Sequence, residues 1–553
     1  AIPDQGETVA ITEMPFFTFV YADLHAHMMA LPITVLVLAC ALSWALPTRA
    51  EEEGWWWLEP WGLGRLLLAS LAIGALWPAN TWDVPTYGLV AAGALGAGLW
   101  QRMGGPSWRW LWAVLWRGLL LLGLSRLLFQ PYHANYVTAY ADFSFWTGTK
   151  TPLSAYLTVH GIFLVAISGW GLWQLNDALG SRVERRAVLA TLTLSLGLSA
   201  AAFWWLWQKT VTGDGNQAQF PPSPWTAVAG TLLIALGITL LLRPRQSASS
   251  RFAAWILLLG AFLSQFVEYG VLAGDIARMN TVFKFYIQIW VLWAVLAACA
   301  YAWLAERIDA YRVAPLLPRL WRLGFQALVC AGLVYTVTAA KGKIADRFPV
   351  PAAAAASPRP GLSGLAYMDW ALYEDGGNIL PEQSRLLVLK HDRHAMLWLL
   401  ANVKGSPVLL EAFHYMGGYH WGSRYSVYTG LPTVIGWDWH QTQQRNAGGR
   451  GVIEQRMQDV QAIYNSASLA EVQPLLEQYD VAYIVVGELE RALFQPAGIA
   501  KFDGLIRSGG AELVYESPPE MRDERTGEPA VKIYRLLRGG EARLRQPREG
   551  SGS

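Results

Sequence analysis

Long apolar stretches separated by short polar connections fill the first 340 residues of the 553-residue chain. A helix needs about 20 apolar residues to cross a bilayer, within a range of about 17 to 25. We predict ten membrane-spanning helices, at 28–46, 63–79, 85–101, 108–129, 153–174, 187–208, 225–242, 252–272, 282–304 and 320–340. The second and third are short and are separated by the turn-forming sequence PANTWDVP, so a re-entrant pair is an alternative for these two.

The pattern changes to that of a water-soluble domain after residue 345. Residues 345–355 are rich in Pro and Ala and read as a linker, after which strand-like and helix-like runs alternate. The predicted strands are 385–390, 406–413, 481–487, 511–517 and 530–537, and the predicted helices are 395–403 and 468–479. Ser468 and Glu471 form a capping-box pattern at the start of the second helix. This order predicts a small α/β domain.

The organisation that follows has three parts. Residues 1–344 form a transmembrane helical domain, residues 345–546 an α/β domain, and residues 547–553 a linker or tag. The first residue is Ala1, with no secretory signal pattern after it, so the sequence is expected to be processed or a fragment.

Arginine and lysine are unevenly distributed among the connections. Thirteen of them lie in the alternate loops 47–62, 102–109, 175–186, 243–251 and 305–322, whereas the segments between contain three: Lys150, Lys209 and Arg278. Short cytoplasmic loops are enriched in these residues. The distribution predicts a multi-pass plasma membrane protein whose first segment and C-terminal domain both lie outside the cytoplasm.

Composition narrows the function classes. Hydrophobic residues make up 53% of the chain and charged residues 15%, against about 25% charged in a soluble domain. The net charge of +2 gives no argument for nucleic-acid binding. All three cysteines lie in apolar runs, which indicates buried side chains rather than a disulfide framework.

Polar residues with catalytic chemistry stand at the predicted outer mouth of the first span. Asp23 and His27 are four residues apart and can share a helix face, where they can hold a metal with His25 or act as a base. The alternative is an interfacial loop that is polar because it is wet. Asp83 is a further catalytic candidate, although Asn80 and Asp83 can equally cap the next helix.

A second group of ionisable residues lies around the predicted outer loop before the ninth span. Glu268, Asp275, Arg278 and Lys284 are close in sequence, and charges at membrane depth are usually paired and functional. Arg278 and Lys284 can bind a phosphate or pyrophosphate. The alternative is an ion-pair cluster that holds two helices together. The candidate phosphate-binding set also includes Asn280 and His133, and the tentative metal ligands are Asp23, His25, His27, Glu268 and Asp275.

The α/β domain contains one long stretch without a regular pattern, from Glu411 to Arg445. It is rich in Gly, aromatic residues, His and Arg, and a connection of this length is uncommon unless functional. Its candidate contacts to a phosphorylated sugar are Arg424, Trp437, His440 and Arg445. The alternative is an Ω-loop packed by its own aromatic side chains.

Several motifs resemble a known family. EMPFFTFVYADLHAHMMALP, NTWDVPTY, RMNTVFKFYIQIW and SRYSVYTGLPTVIGWDWHQTQQR are similar to segments of the YYY membrane proteins of Chloroflexi and archaea, which are grouped with GT-C glycosyltransferases. The resemblance covers nearly the whole chain. The Tyr-Tyr-Tyr motif of that family precedes its DLHAH element and is not found here, so the chain is expected to begin part-way through the family pattern. The catalytic acid of GT-C enzymes then falls in a missing loop, and Asp23 becomes a metal or phosphate contact.

The resemblance implies a GT-C-like fold and a function. Such enzymes transfer a sugar from a polyprenyl-phosphate-linked donor to a glycan, lipid or protein acceptor at the outer membrane face, in some cases with Mg²⁺ or Mn²⁺. A lipid-linked substrate transporter or flippase is one alternative, although the sequence shows no internal repeat and its charges gather on one side. A non-catalytic membrane assembly protein is another.

Overall fold

The computed structural model describes residues 14–21, 25–46, 60–136, 143–211, 224–272, 277–310, 316–347, 363–374, 386–413, 420–444 and 450–537. The chain divides into two compact units, residues 1–345 and 346–553, which we call the helical unit and the α/β unit. Each has its own apolar core.

The helical unit consists of long helices joined by short connections. In chain order the helices are α1 Pro15–Tyr21, α2 Ala26–Ala45, α3 Pro60–Asn80, α4 Asp83–Met103, α5 Trp108–Leu128, α6 Gln130–Asn135, α7 Leu153–Gly180, α8 Arg182–Val211, α9 Trp225–Leu242, α10 Ala248–Tyr269, α11 Ala277–Ala310 and α12 Leu316–Arg347. Nine helices of the described residues are long and apolar enough to cross a membrane. The structure therefore confirms a multispanning helical membrane protein.

The third predicted span coincides with α4, which is not among those nine helices although it has 21 residues. Twelve of its residues are buried, many of them Ala or Gly, so neighbouring helices and not lipid cover most of its surface. A helix shielded in this way needs less hydrophobicity to lie in a membrane. Both α3 and α4 have 21 residues, about 31 Å each, which favours two full helices over the short re-entrant pair.

Small residues on α4 allow close helix packing. A side chain added at Gly98 would collide with the carbonyl of Trp44 near the end of α2, and one at Gly93 would collide with the Trp255 ring of α10. The α4 backbone therefore lies directly against two neighbours. This packing fixes the start of α4, where Asp83 stands, relative to the start of α2.

A short β-ribbon joins two parts of the helical unit that are distant in sequence. Strand β1, Phe143–Phe145, pairs antiparallel with β2, Gly270–Leu272, and the pairing continues as Trp146 N donates to Tyr269 O at 3.0 Å. The ribbon holds the segment that precedes α7 against the end of α10.

The α/β unit contains one four-stranded mixed sheet. Its strands are β5 Val408–Leu410, β6 Val481–Val486, β7 Ala511–Glu516 and β8 Lys532–Leu536, in the order β5-β6-β8-β7. The β5–β6 pair is parallel and the other two pairs are antiparallel. A separate pair is formed by β3 Leu372–Glu374 and β4 Leu386–Val388. The helices are α13 Leu389–Asn402, α14 Arg424–Thr429, α15 Asp438–Gln444, α16 Arg450–Asn465, α17 Leu469–Gln478, α18 Glu488–Leu493 and α19 Pro496–Arg507.

This arrangement confirms a C-terminal region that contains a sheet. The bounds of some predicted elements and the predicted cap at Ser468 differ from the structure. The strand predicted at 385–390 ends at Val388, because the chain passes directly into α13, which begins six residues before the predicted helix. Ser468 makes no side-chain capping hydrogen bond to α17. Ser466 Oγ instead donates to Glu471 at 2.6 Å. The long stretch from Glu411 contains two short helices, α14 and α15.

Candidate functional site

Four polar residues converge where the β-ribbon meets the ends of α7, α10 and α11. We call Lys150, Thr151, Glu268 and Arg278 the Arg278 cluster. Lys150 and Thr151 precede α7, Glu268 is in the last turn of α10, and Arg278 is in the first turn of α11. The pairing of β1 with β2 brings Lys150 and Thr151 into contact with Glu268, although more than 100 residues separate them in the sequence.

The carboxylate of Glu268 is the centre of this cluster. Thr151 donates to it twice, from its backbone N–H at 2.8 Å and from its hydroxyl at 2.6 Å. Arg278 Nη2 donates to Glu268 Oε1 at 2.7 Å and to the Thr151 hydroxyl at 2.8 Å, while its Nε donates to Val267 O at 3.0 Å. Both ion-pair partners are buried. The ion-pair alternative foreseen for these residues therefore has a direct basis in the structure.

The cluster has more cations than anions. Lys150 Nζ donates to the carbonyls of Glu268 at 2.7 Å and Trp146 at 2.9 Å, and it lies 4.9 Å from the centre of the Tyr269 ring. Burial lowers the pKa of Lys150 to about 7, against an opposing effect of Glu268 and with a further contribution from Arg278. When Lys150 is protonated, two cations face one carboxylate, so the site is suited to an anion.

A second polar group lies on another face of α11, between the starts of α2 and α4. We call His27, Asp83, Lys284 and Gln288 the Asp83 corner. Asp83 is buried in the first turn of α4, and the side chains of Asn80 and Gln288 lie beside its carboxylate. Gln288 also donates to Trp82 O at 3.1 Å, and Lys284 lies 5.6 Å from the centre of the Trp82 ring.

His27 joins this corner through α11. Its ring centre lies 4.7 Å from that of Phe283, the residue before Lys284, and its Nε2 is 3.2 Å from the Thr18 hydroxyl. His27 is buried, whereas His25 is exposed, with its ring 5.3 Å from that of His27. The structure thus brings the predicted residues His27, Asp83 and Lys284 to one region.

The remaining predicted residues of the helical unit are distributed around these groups. Asn280 is half-buried in the first turn of α11. His133 lies in α6, where its Nδ1 is 3.2 Å from Arg126 Nη1 and its ring contacts Trp77. Two predicted residues, Asp23 and Asp275, lie outside the described residues.

The described residues by themselves do not fit a metal site. Among them, no three His, Cys, Asp or Glu side chains converge as metal ligands would. Two predicted ligands fall outside the described ranges, and a third, Glu268, has its carboxylate engaged by Thr151 and Arg278.

In the α/β unit, Arg424 has a different role from the predicted one. It is fully buried, and its Nε donates to Asp392 at 2.7 Å while Nη1 and Nη2 donate to Glu490 at 3.1 and 2.9 Å. Because all three nitrogens are engaged inside the fold, Arg424 is not placed to bind a phosphate. It is the centre of a structural network.

The other predicted residues of this unit lie near its α15 helix. Trp437 is half-buried and donates from Nε1 to His420 O at 3.1 Å, and its ring centre lies 6.5 Å from that of His440. Arg445 lies outside the described residues. The sugar-stacking role of Trp437 and His440 stays a prediction.

Three residues of the site were missed as individual candidates. Lys150 and Thr151 belong to the polar segment DFSFWTGTKT, and Lys150 is one of the few cations of the arginine-poor side, which was the available signal. The role of Gln288 depends on the packing of α11 against α4, more than 200 residues earlier in the chain, and had no local signal.

The comparisons with known proteins concern mainly the helical unit. A family described as uncharacterized membrane protein (DUF2298) matches residues 7–293, which is more than half of the chain. The match includes the Arg278 cluster and the Asp83 corner. None of the curated proteins compared with the chain matches it. From the extent of the family match, the chain belongs to the DUF2298 family of membrane proteins.

Proposed function

We propose that the protein is a membrane glycosyltransferase of GT-C type that transfers a sugar from a polyprenyl-phosphate-linked donor to an acceptor hydroxyl. The observation that carries this proposal is the buried excess of cationic charge in the Arg278 cluster, on the same helix that borders Asp83. A donor of this class requires cations for its phosphate, a carboxylate near the acceptor and an apolar environment for its tail.

The spacing along α11 suits such a substrate. Arg278 and Lys284 are six residues apart, about 9 Å along the helix axis, so one helix presents cations at two depths. Asp83 lies beside the second position through Gln288. We assign phosphate recognition to Lys150 and Arg278 and proton acceptance to Asp83, with His27 as a neighbouring positioning residue.

The proposed reaction balances without a further reactant. The acceptor hydroxyl oxygen forms a bond with the anomeric carbon of the sugar, while the bond from that carbon to the phosphate oxygen breaks. The phosphate oxygen keeps the electron pair and leaves as polyprenyl phosphate, and the hydroxyl proton passes to the carboxylate. Burial of the cations reduces solvent screening of the leaving phosphate.

The decisive experiment measures release of polyprenyl phosphate. The full chain is reconstituted in liposomes with polyprenyl-phosphate hexoses labelled in the sugar, and both products are quantified. We expect the wild type to release polyprenyl phosphate and Asp83→Asn to do so about 100-fold more slowly, the lower range for a general base. Asp309→Asn is a matched control, because Asp309 is an exposed carboxylate that pairs with Arg322.

The outcomes separate the candidate functions. A full rate for Asp83→Asn would remove Asp83 from the mechanism. If the labelled donor crosses the bilayer with its sugar–phosphate bond intact, the protein is a transporter. If the wild type neither cleaves nor moves any donor offered, the glycosyltransferase proposal fails.

A further inference from the structure

Polar side chains continue from the Arg278 cluster into the interior of the helical unit, between α7, α10 and α11. The Tyr286 hydroxyl of α11 lies beside the Thr151 side chain of that cluster. Further along α7, the centre of the His160 ring lies 4.8 Å from that of Tyr286 and 5.3 Å from that of Trp293, and both rings meet the imidazole edge to face. We call His160, Tyr286 and Trp293 the His160 site.

Four polar atoms of this site have no hydrogen-bond partner among the residues that the structure describes. They are both ring nitrogens of His160, the hydroxyl oxygen of Tyr286 and the indole nitrogen of Trp293, and all four are buried. The three residues are at most 2% exposed. Lipid supplies no hydrogen bonds, so an unpaired polar atom inside a membrane span is costly. Four such atoms in one place therefore indicate that a bound molecule pairs with them.

Tyr156 shows that the same helices can satisfy a buried hydroxyl. Its ring centre lies 5.1 Å from that of His160, close to the distance found for Tyr286. Its hydroxyl, however, is 3.1 Å from Ser264 Oγ of α10. In the described part of the chain no side chain does the same for Tyr286. The unpaired atoms are thus a local property of the side of His160 that faces α11.

The unpaired atoms define the chemistry of a ligand. A neutral imidazole has one donor and one acceptor, a phenol hydroxyl can be either, and an indole N–H only donates. The charged groups that act on Tyr286 are Glu268 and Arg278, one of each sign, so neither an anion nor a cation is favoured. The ligand is therefore neutral, both donor and acceptor, and small enough to stand between closely packed rings. Hydrogen bonds of about 2.8–3.0 Å from one water molecule span such ring edges.

We propose that an ordered water molecule occupies the His160 site and bridges the imidazole of His160 to the hydroxyl of Tyr286. A third hydrogen bond, from the Trp293 N–H, completes the number that is usual for a buried water. The bridge holds the Tyr286 hydroxyl in one orientation at the edge of the Arg278 cluster. The occupation of this site by water does not depend on the proposed transfer reaction.

The test measures the transfer of magnetisation from water protons to the His160 ring nitrogens by solid-state NMR. The full chain, with its histidine rings labelled with ¹⁵N, is reconstituted in lipid bilayers, and the signals missing from His160→Gln identify His160 among the nine histidines. We expect water magnetisation to reach the His160 ring in the wild type. Tyr286→Phe should lose most of this transfer, because one of the groups that hold the water is removed.

Tyr156→Phe is the matched control for Tyr286→Phe. It removes the same hydroxyl from a ring at a similar distance from His160, but that hydroxyl is already paired with Ser264. The transfer to His160 should therefore stay at the wild-type level. The exposed ring of His25 gives the reference signal for contact with bulk water.

Unfolding temperatures in detergent provide a second measurement that does not depend on the NMR signals. If water bridges the two side chains, Tyr286→Phe and His160→Leu each lower the unfolding temperature, and the double variant lowers it by less than the sum, because both lose the same water. His160→Gln keeps a donor and an acceptor and should unfold closer to the wild-type temperature than His160→Leu. If the atoms are truly unpaired, removing one of them raises the unfolding temperature instead.

The proposal is overturned if no water magnetisation reaches the His160 ring of the wild type, or if Tyr286→Phe keeps the wild-type transfer. It is also overturned if Tyr286→Phe raises the unfolding temperature. A hydrogen bond formed directly between His160 and Tyr286, detected without transfer from water, has the same consequence.

Discussion

The two units of the chain bury arginine in contrasting ways. In the α/β unit, Arg424 faces the carboxylates of Asp392 and Glu490, and the nearby Glu411 is buried as well. In the helical unit, Arg278 and Lys150 share one carboxylate, that of Glu268. The Arg424 network therefore has an excess of acidic groups, whereas the Arg278 cluster has an excess of cations.

The hydrogen bonds show what this difference means. Every guanidinium nitrogen of Arg424 donates to a carboxylate, and Glu490 also accepts from Ala412 N and Gly487 N, at 2.8 Å each. By contrast, Nη1 of Arg278 forms no hydrogen bond within the described part of the chain. A network whose donors are all engaged stabilises a fold, whereas one with unused cationic capacity is suited to bind an external anion.

The largest expected effect is the loss of Arg424. Arg424→Leu leaves three buried acidic groups without their cation, so we expect a loss of about 3–5 kcal/mol in the free energy of unfolding of the α/β unit. Hydrogen exchange of β5 and β6 in the full chain measures this loss. The matched control is Arg393→Leu, because Arg393 forms a more exposed ion pair with Asp369 and should cost about 1 kcal/mol or less. Equal costs for the two variants would mean that the Arg424 network does not stabilise this unit.

The second prediction compares the two partners of the helical ion pair. Glu268→Gln leaves Lys150 and Arg278 as adjacent buried cations, and we expect the free energy of unfolding to fall by about 3 kcal/mol. Arg278→Gln leaves Glu268 with Lys150 nearby and two hydrogen bonds from Thr151, so a loss of about 1–2 kcal/mol is expected. Unfolding in mixed detergent micelles measures both variants. Added inorganic phosphate should restore part of the stability of Glu268→Gln, because it supplies an anion to the two cations. If Arg278→Gln loses more stability than Glu268→Gln, the cluster does not have the excess of cations that we assign to it.

These networks also show what could be predicted from sequence. Within the described residues, the apolar run lengths located the ten long helices of the helical unit, because each span must contain enough apolar residues to cover the thickness of a bilayer. Glu268 and Arg278 were found because charges near a span are rare. The same criterion missed Lys150 and Thr151 as partners, since the β1–β2 pairing that brings them to Glu268 uses two three-residue strands.

The α/β unit was less predictable for a related reason. Arg424 was interpreted as a phosphate ligand because it stands in a Gly- and aromatic-rich stretch, typical of binding loops. Its partners Asp392 and Glu490 are 32 and 66 residues away and come from different helices. Sequence alone shows the residue type, but burial depends on the three-dimensional packing and decides whether a cation is structural or available.

The third prediction uses the pH response of the cation-rich network. The pKa of Lys150 is lowered by burial from 10.5 to about 7 in the folded protein. Between these values the unfolded chain holds a proton that the folded chain does not, so stability should rise as the pH increases from about 7 toward 10.5. Lys150→Met should flatten this rise, whereas Lys209→Met, at an exposed lysine near the end of α8, should keep it. Unfolding temperature against pH in detergent measures the difference.

The smallest expected effect is the opposite response in the acid-rich network. Burial raises the pKa of Glu411 from 4.5 to about 7, although Arg424 and the N–H groups of Ser426 and Tyr425 oppose this shift. The folded chain therefore holds a proton between these values that the unfolded chain has released, and this contribution to stability is lost as the pH rises through about 7.

Glu411→Gln should remove the response while one carbonyl oxygen still accepts a backbone hydrogen bond. Glu520→Gln, at an exposed position, is the control. Hydrogen exchange of β5 at several pH values, corrected for the intrinsic exchange rates, measures the stability of the α/β unit separately from that of the helical unit. If Glu411→Gln keeps the wild-type dependence, the proton resides elsewhere in the network, and Asp392 and Glu490 become the groups to substitute next.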